Sequence, residues 1–415
     1  MKFYIETFGC TANFGNSQDV AEALQEMGHM PSPLEEADLV IVNTCAVTEK
    51  TERRILRRLR SLQGERLVIA GCLQVALPES VSRICCRKRL GLLNRSTAAE
   101  IAGHHPIAGR ANSISPSPRQ DLCGIINISE GCTGVCSYCI VRKARGGLVS
   151  RPPEDVLEAA RKLGRSGCVE IQLAAQDTAA YGMDIGTCLP ELLEMMENVP
   201  GNFMVRVGMM NPDTARLHLA GLIEALRSPR VFKFLHIPLQ SGSDRVLKNM
   251  GRRYSSGDFL DIVKDLRSSC PDLSINTDVI VGFPGETDGD FQQTLDLIKH
   301  AQPDKVNVTR FSRRPGTAAA RLYDMPDRIK KERSRALTRL WLEIAAQRNL
   351  RYVGEDLAAL VTERGRGYTM KARAANYQGI VVEGDVPLGA YIKVKITGSN
   401  PFYISGRVQD ERQLF

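Results

Sequence analysis

Cys132, Cys136 and Cys139 stand at i, i+4 and i+7 in the stretch Glu130-Gly131-Cys132-Thr133-Gly134-Val135-Cys136-Ser137-Tyr138-Cys139. No other feature constrains the chain as much, because three thiols so spaced fit one short loop wrapped around a metal cluster. A cubane of four irons held by three thiolates keeps one iron without a protein ligand, open to a reactant. A structural zinc site calls for a fourth Cys or His at comparable spacing, and none stands nearby. Tyr138 places an aromatic ring beside the last cysteine.

Residues 1–94 read as alternating strands and helices: a strand at Lys2–Thr7, a helix at Ser17–Met27, and a buried-type strand at Leu39–Val42. A helix over 47–62 and a strand at Leu67–Ala70 follow. Such a βαβ series predicts a small parallel sheet. Each strand runs directly into a cysteine, in Phe8-Gly9-Cys10, Asn43-Thr44-Cys45 and Gly71-Cys72. Parallel strands end on one sheet edge, where open α/β sheets bind ligands, so Cys10, Cys45 and Cys72 are expected to converge as a second three-cysteine cluster site.

Pro106–Gln120 is rich in Pro, Ser, Ala and Gly without periodicity and reads as a linker. From there, strands at Ile125–Ser129, Val169–Ala174, Phe203–Val207, Phe232–Ile237, Ser274–Val281 and Lys305–Phe311 alternate with amphipathic helices. Six βα units predict a partial (βα)6 barrel with its chemistry at the strands' C-terminal ends. Gln176, Asp177, Arg206, Gln240, Ser241, Gly282 and Gly285 lie in or just after those strands and are candidate cofactor contacts; Asp177 and Arg206 could instead form a structural ion pair. Pro326–Tyr352 reads as a long basic helix carrying the only tryptophan, Trp341. Short alternating runs beyond residue 353 predict a small antiparallel β-barrel. The expected division is therefore 1–105, a linker at 106–120, 121–352 and 353–415.

The formal charge is +8, with the excess mainly in residues 132–352, and Arg53–Arg60 forms a further basic face. Both suit a polyanionic partner without demanding one. No apolar run reaches membrane-spanning length, and Met1–Ile5 reads as a strand, not a signal peptide, so no membrane partner and a cytoplasmic location are expected. Twelve cysteines in such a chain argue for metal ligation over disulfides, with Cys85, Cys86, Cys123, Cys168, Cys188 and Cys270 as core or incidental residues.

Taken end to end, the sequence resembles the methylthiotransferase branch of the radical S-adenosylmethionine (SAM) enzymes. The resemblance rests on Phe-Gly-Cys10, Asn-Thr-Cys45, Ala-Gly-Cys72 and the Cys132–Cys139 loop. Gln176–Gly186, Val207–Pro212, Phe234–Ser241 and Arg313–Thr317 are similar to the archaeal and eukaryotic type acting on threonylcarbamoyladenosine in tRNA. The stretch Cys10-Thr11-Ala12-Asn13-Phe14-Gly15 departs from relatives, and the linker matches no pattern. The resemblance implies an N-terminal methylthiotransferase domain, a radical SAM barrel and a C-terminal RNA-binding TRAM domain. It implies two [4Fe-4S] clusters, on Cys10, Cys45, Cys72 and on Cys132, Cys136, Cys139. It also implies SAM as radical source and methyl donor, held near Tyr138, Gln176, Asp177, Arg206, Gln240, Ser241 and Gly282.

The implied partners are the tRNA anticodon stem-loop, an electron donor such as a ferredoxin or flavodoxin, and a sulfur donor, with the chain a monomer. Two alternatives remain open at this point. One is methylthio transfer to another modified adenosine, isopentenyladenosine or a longer threonylcarbamoyl analogue. The other is a non-catalytic iron–sulfur sensor that binds RNA.

Overall fold

The computed structural model describes residues 1–103 and 122–410; the 106–120 linker lies outside them. The first domain is a five-stranded parallel sheet in the order Met30–Pro31, Lys2–Thr7, Leu39–Thr44, Gly64–Gly71, Cys86–Arg89. Strand alternation sends Leu39 and Ile41 to one face, against Val20 and Leu24 of the Thr11–Glu26 helix. Val40 and Val42 go to the other, against Ile55 and Leu59 of the Glu49–Leu62 helix. Two strands go beyond the three expected, and neither carried a signal: one has two residues, the other reads Cys-Arg-Lys-Arg. The first helix begins at Thr11, not Ser17, because its opening turns bury the polar Asn13 and Asn16 and so break the apolar period.

Six parallel strands follow in sequence order: Cys123–Asn127, Glu170–Ala174, Met204–Val207, Phe234–His236, Ser274–Val281 and Lys305–Arg310. They form two three-stranded sheets that meet through a parallel bridge between Met209 and His236. This is the expected partial barrel, with one core running from Ile126 to Ile344.

The Asp327–Leu350 helix packs along the last strand, where Trp341 donates to the Asp304 carbonyl at 3.2 Å. Part of its basic charge is spent inside the protein. Lys330 is buried against Asp324 at 3.1 Å, and Arg333 against Glu286 at 2.5 Å. Those two charges are not free to attract RNA, although the sequence counts them in a long basic helix. Glu286 likewise serves this buried pair more than its own helix terminus.

The C-terminal domain is a closed barrel of five strands, Asp356–Arg364, Thr369–Ala374, Gly379–Glu383, Ile404–Asp410 and Tyr391–Ser399 in spatial order. It is antiparallel except for one parallel seam between Gly379–Glu383 and Ile404–Asp410. Its Tyr377 docks it onto the larger barrel, with ring centroids 4.9 Å from Phe232 and 5.0 Å from Phe234 and a hydroxyl donating to Glu170 at 2.6 Å. Among the described residues no helix is long and apolar enough to cross a membrane.

Candidate functional site

The register of the first sheet pairs Thr7 with Asn43 and Thr44 with Gly71, so its three central strands end level with one another. Cys10 caps the following helix, Cys45 follows its strand end directly, and Cys72 opens a short helix. The three thiols do converge. A side chain at Gly9, whose φ is +118°, would meet the Cys45 sulfur at 3.2 Å. Asn13 and Asn43 tie the edge together, Asn13 Nδ2 donating to the Phe8 and Thr44 carbonyls and Asn43 Nδ2 to the Asn13 carbonyl. Burial pushes the Cys45 thiol up to about 11 and raises Cys72 as well, against the opposing charge of Arg145.

The second set lies on the loop after the Ser129–Glu130 strand. A Cβ at Gly134 would lie 3.3 Å from the Cys132 sulfur and 3.6 Å from that of Cys136, so the loop closes a cradle that only glycine leaves open. Burial raises Cys132 to about 11, and raises Cys136 against the charge of Arg252. Arg252 is half-buried. It donates to the Tyr138 hydroxyl and to Asn211 Oδ1, each at 2.8 Å. The Tyr138 ring packs edge-on against Phe283.

Two buried arginines of the middle domain reach the first-domain cysteines. Arg145 follows the loop and Arg314 follows the last barrel strand; their side chains are 1% and 3% exposed. Their charges bear on Cys72 and Cys45 respectively. A cavity of about 100 Å³ lies between the two domains, lined by Val47 and Thr48 from one and by Tyr138, Cys139, Arg310 and Phe311 from the other.

Both donor sets fit thiolate-ligated iron–sulfur groups. The first sets the buried Cys45 and Cys72 and the exposed Cys10 near the buried Arg145 and Arg314; the second sets three half-buried thiols near the half-buried Arg252. The Nε atoms of Arg145, Arg252 and Arg314 are buried with no acceptor among the described residues, which leaves donors for an anionic sulfur-rich group, although Arg206, Arg267 and Arg373 share that feature elsewhere. Among the described residues no three Cys, His, Asp or Glu side chains gather about a single ion. A cubane places its thiolates on separate irons, so the two statements agree.

Residues 126–298 match the Radical SAM superfamily, 2–87 the Uncharacterized protein family UPF0004, and 350–408 the TRAM domain. A probable threonylcarbamoyladenosine tRNA methylthiotransferase of Archaeoglobus fulgidus is 40% identical over 425 residues, covering 99% of this chain and 100% of that protein. This chain belongs to that family. The threonylcarbamoyladenosine tRNA methylthiotransferase of Drosophila melanogaster is 35% identical over 99% of this chain and 78% of its own. Among solved structures, the radical SAM methyltransferase TsrM of Kitasatospora setae aligns with a TM-score of 0.52 at 16% identity, over 77% of this chain and 75% of that one. At that identity the likeness concerns the fold alone.

The methylthiotransferase fold disposes the expected SAM contacts unevenly. Tyr138 lines the cavity beside Cys139. Gln176 accepts from the Gly131 amide at 2.7 Å and so steadies the cysteine loop. Gln240 holds a left-handed φ of 67°, and its Oε1 is buried without a partner among the described residues. Asp177 is fully buried and accepts from the Asn211 amide, Asn211 Nδ2 and Thr214 Oγ1. Ser241 is fully buried and accepts from the Ser243 amide.

Arg206 stacks on Phe234 and Tyr377, toward the C-terminal domain, and donates to Gln172 at 3.3 Å. The Asp177–Arg206 ion pair considered from sequence is not formed. A Cβ at Gly282 would meet Lys330 Cγ at 2.2 Å, so this glycine makes room for the long helix. Sequence reasoning missed Arg145, Asn211, Arg252 and Arg310. Arg252 and Arg310 carried no motif, whereas Arg145, six residues beyond Cys139, was close enough to the loop to be asked about.

Of the other cysteines, Cys168 is buried and Cys85 exposed, with Cys86, Cys123, Cys188 and Cys270 between.

Proposed function

We propose that this chain is a tRNA methylthiotransferase that adds a methylthio group to C2 of N6-threonylcarbamoyladenosine next to the anticodon. The observation that carries this reading is a small interdomain cavity lined by Cys139 of one three-cysteine set and by Val47, two residues after Cys45 of the other. When bound, two [4Fe-4S] clusters and SAM supply what side chains cannot, the replacement of hydrogen at an unreactive aromatic carbon by methylated sulfur.

The chain's own residues hold and orient the reactants. Cys132, Cys136 and Cys139 ligate the SAM cluster, and Cys10, Cys45 and Cys72 the sulfur-bearing one. Tyr138, fixed by Arg252, and Gln240 contact SAM; Gln176, Asp177, Ser241 and Gly282 position those elements, and Arg206 braces the barrel interior. Val47, Ile140, Val141, Ile280 and Phe311 give the cavity apolar walls for a flipped adenine ring and keep water from it. Arg310 is exposed at the same cavity with no partner among the described residues, and a guanidinium there suits the carboxylate of a threonylcarbamoyl group. An isopentenyl group offers it nothing.

RNA approaches over the C-terminal barrel, where Tyr368 is 74% exposed beside the exposed Arg366. In the first domain, Arg54 lies over the Phe8 ring and shares a surface hollow with Arg57. The reading places the enzyme in the cytoplasm as a monomer served by a ferredoxin or flavodoxin and by a separate sulfur donor. The four domain limits of the sequence, 1–105, 106–120, 121–352 and 353–415, go with it.

The test is nucleoside mass spectrometry of tRNA treated with anaerobically reconstituted protein, SAM and a reductant. A methylthio increment on threonylcarbamoyladenosine is expected. Deoxyadenosine without that product would overturn the substrate, and no deoxyadenosine at all would favour the non-catalytic sensor.

A further inference from the structure

We propose that Arg145 is a positioning residue of the first-domain cysteine site, although it belongs to the other domain. Its Nε–H is the donor to the sulfur-rich group held by Cys10, Cys45 and Cys72, and its buried charge raises that group's reduction potential. The inference rests on the two-cluster reading above.

Arg145 ends the Val141–Arg145 helix, which leaves the Cys132–Cys139 loop after one intervening residue. Ile140 and Ala144 of that segment are buried in the first domain's core, so the helix cannot turn its last side chain away from the sheet edge. The guanidinium is clamped from both sides. Nη1 donates to Glu130 Oε1 at 2.9 Å; Nη2 donates to Asn13 Oδ1 at 2.7 Å and Asn16 Oδ1 at 2.9 Å. Asn13 Oδ1 also accepts from the Cys72 thiol at 3.7 Å, which puts Arg145 and Cys72 on one shared acceptor.

That leaves Nε, buried and without an acceptor. Three of its five N–H bonds are thus spent, and the Nε–H is a buried donor of the kind that normally finds a partner. Thiolate and sulfide sulfurs at Cys72 are the acceptors the geometry offers. Hydrogen bonds and positive charge close to an iron–sulfur cluster favour its reduced, more negative state. Glu130, two residues before Cys132, is held by the same guanidinium, so one side chain ties the loop of one cysteine site to the other.

The test uses full-length protein in a Cys132→Ala/Cys136→Ala/Cys139→Ala background, in which only the first-domain site can load. Iron and sulfide are counted after anaerobic reconstitution, and the reduction potential is read by EPR-monitored titration. Arg145→Gln, which loses both charge and Nε–H, is expected to shift the potential to more negative values or to lose iron while the metal-free fold is kept. Arg145→Lys, which keeps the charge without the Nε–H, is expected to shift it less.

Arg333→Gln, which removes a buried arginine remote from the cysteines, should lower thermal stability without moving the potential. An unmoved potential with full iron in whichever Arg145 variant folds would overturn the inference alone. A parent protein that binds no iron at this site would overturn the two-cluster reading and the inference together.

Discussion

Arg314 Nη2 donates to Glu52 Oε2 at 2.6 Å, joining the end of the last barrel strand to a helix of the first domain. The pair is 3% and 14% exposed, and Ser80 Oγ also donates to Glu52, at 2.8 Å. Truncating one member of a buried ion pair leaves the other charge stranded, which costs about 3 kcal/mol or more. Glu52→Ala is therefore expected to lose stability by that much, read from denaturant unfolding, and Glu52→Ala/Arg314→Met to recover part of it. Equal stability of Glu52→Ala and the parent would show that the pair contributes nothing.

Two separate cubanes predict a simple iron count. Anaerobically purified protein should carry about eight irons, falling to about four in either Cys132→Ala or Cys45→Ala. Loss of all iron from a single variant would mean one shared site. Because burial raises Cys45 and Cys132 to about 11, loading at neutral pH must displace their protons. Proton release during reconstitution should accordingly be measurable in weak buffer.

Asp290 gives a pH signature. Burial pushes its carboxyl up, but bonds from Arg245, Ser243 and Thr287 outweigh this and hold it well below the usual carboxylate range. A depressed folded-state value stabilises fully above the unfolded value of about 4. As pH falls below that, the unfolded chain takes up the proton first and stability is lost. Asp290→Asn should lower the melting temperature at neutral pH and flatten its fall between about pH 4 and 2, as followed by calorimetry.

Arg310 is the predicted reader of the substrate's carboxylate. Losing a charge-assisted hydrogen bond costs about 2 kcal/mol, roughly thirtyfold. Arg310→Ala should raise KM for tRNA bearing threonylcarbamoyladenosine by that order while leaving iron content unchanged. A variant that keeps the parent's KM would remove Arg310 from the substrate's path.

Gly282 separates a packing role from a cofactor role. Its φ is +72°, and an added Cβ would strike Lys330 Cγ. Gly282→Ala should cost about 1–3 kcal/mol in metal-free protein, from left-handed strain and displacement of Lys330. A variant as stable as the parent but defective in SAM binding would instead restore the cofactor role that its place after a strand suggested.

Local signals made most of this architecture legible. Ser274–Val281 is a strand at its expected limits, and Thr287 caps the next helix with a reciprocal bond to Asp290, because alternation and capping are decided within a few residues. The convergence of Cys10, Cys45 and Cys72 was legible too, since parallel strands must end on a common edge. Glycine and charge were read less well. Gly282 looked like a cofactor contact and Glu286 like a partner of its helix N-terminus, and they answer to Lys330 and Arg333, more than forty residues away.

The sequence by itself determined the two three-cysteine sets and the strands that carry them, because cysteine spacing and strand order survive any arrangement of the domains. Only the tertiary structure decided what surrounds those ligands. Arg145 lies 73 positions from Cys72 and Arg314 lies 269 from Cys45, yet each carries its charge against that cysteine. No periodicity records such a pairing, because it arises only when two independently folded sheets bury a common edge and strand a charge there.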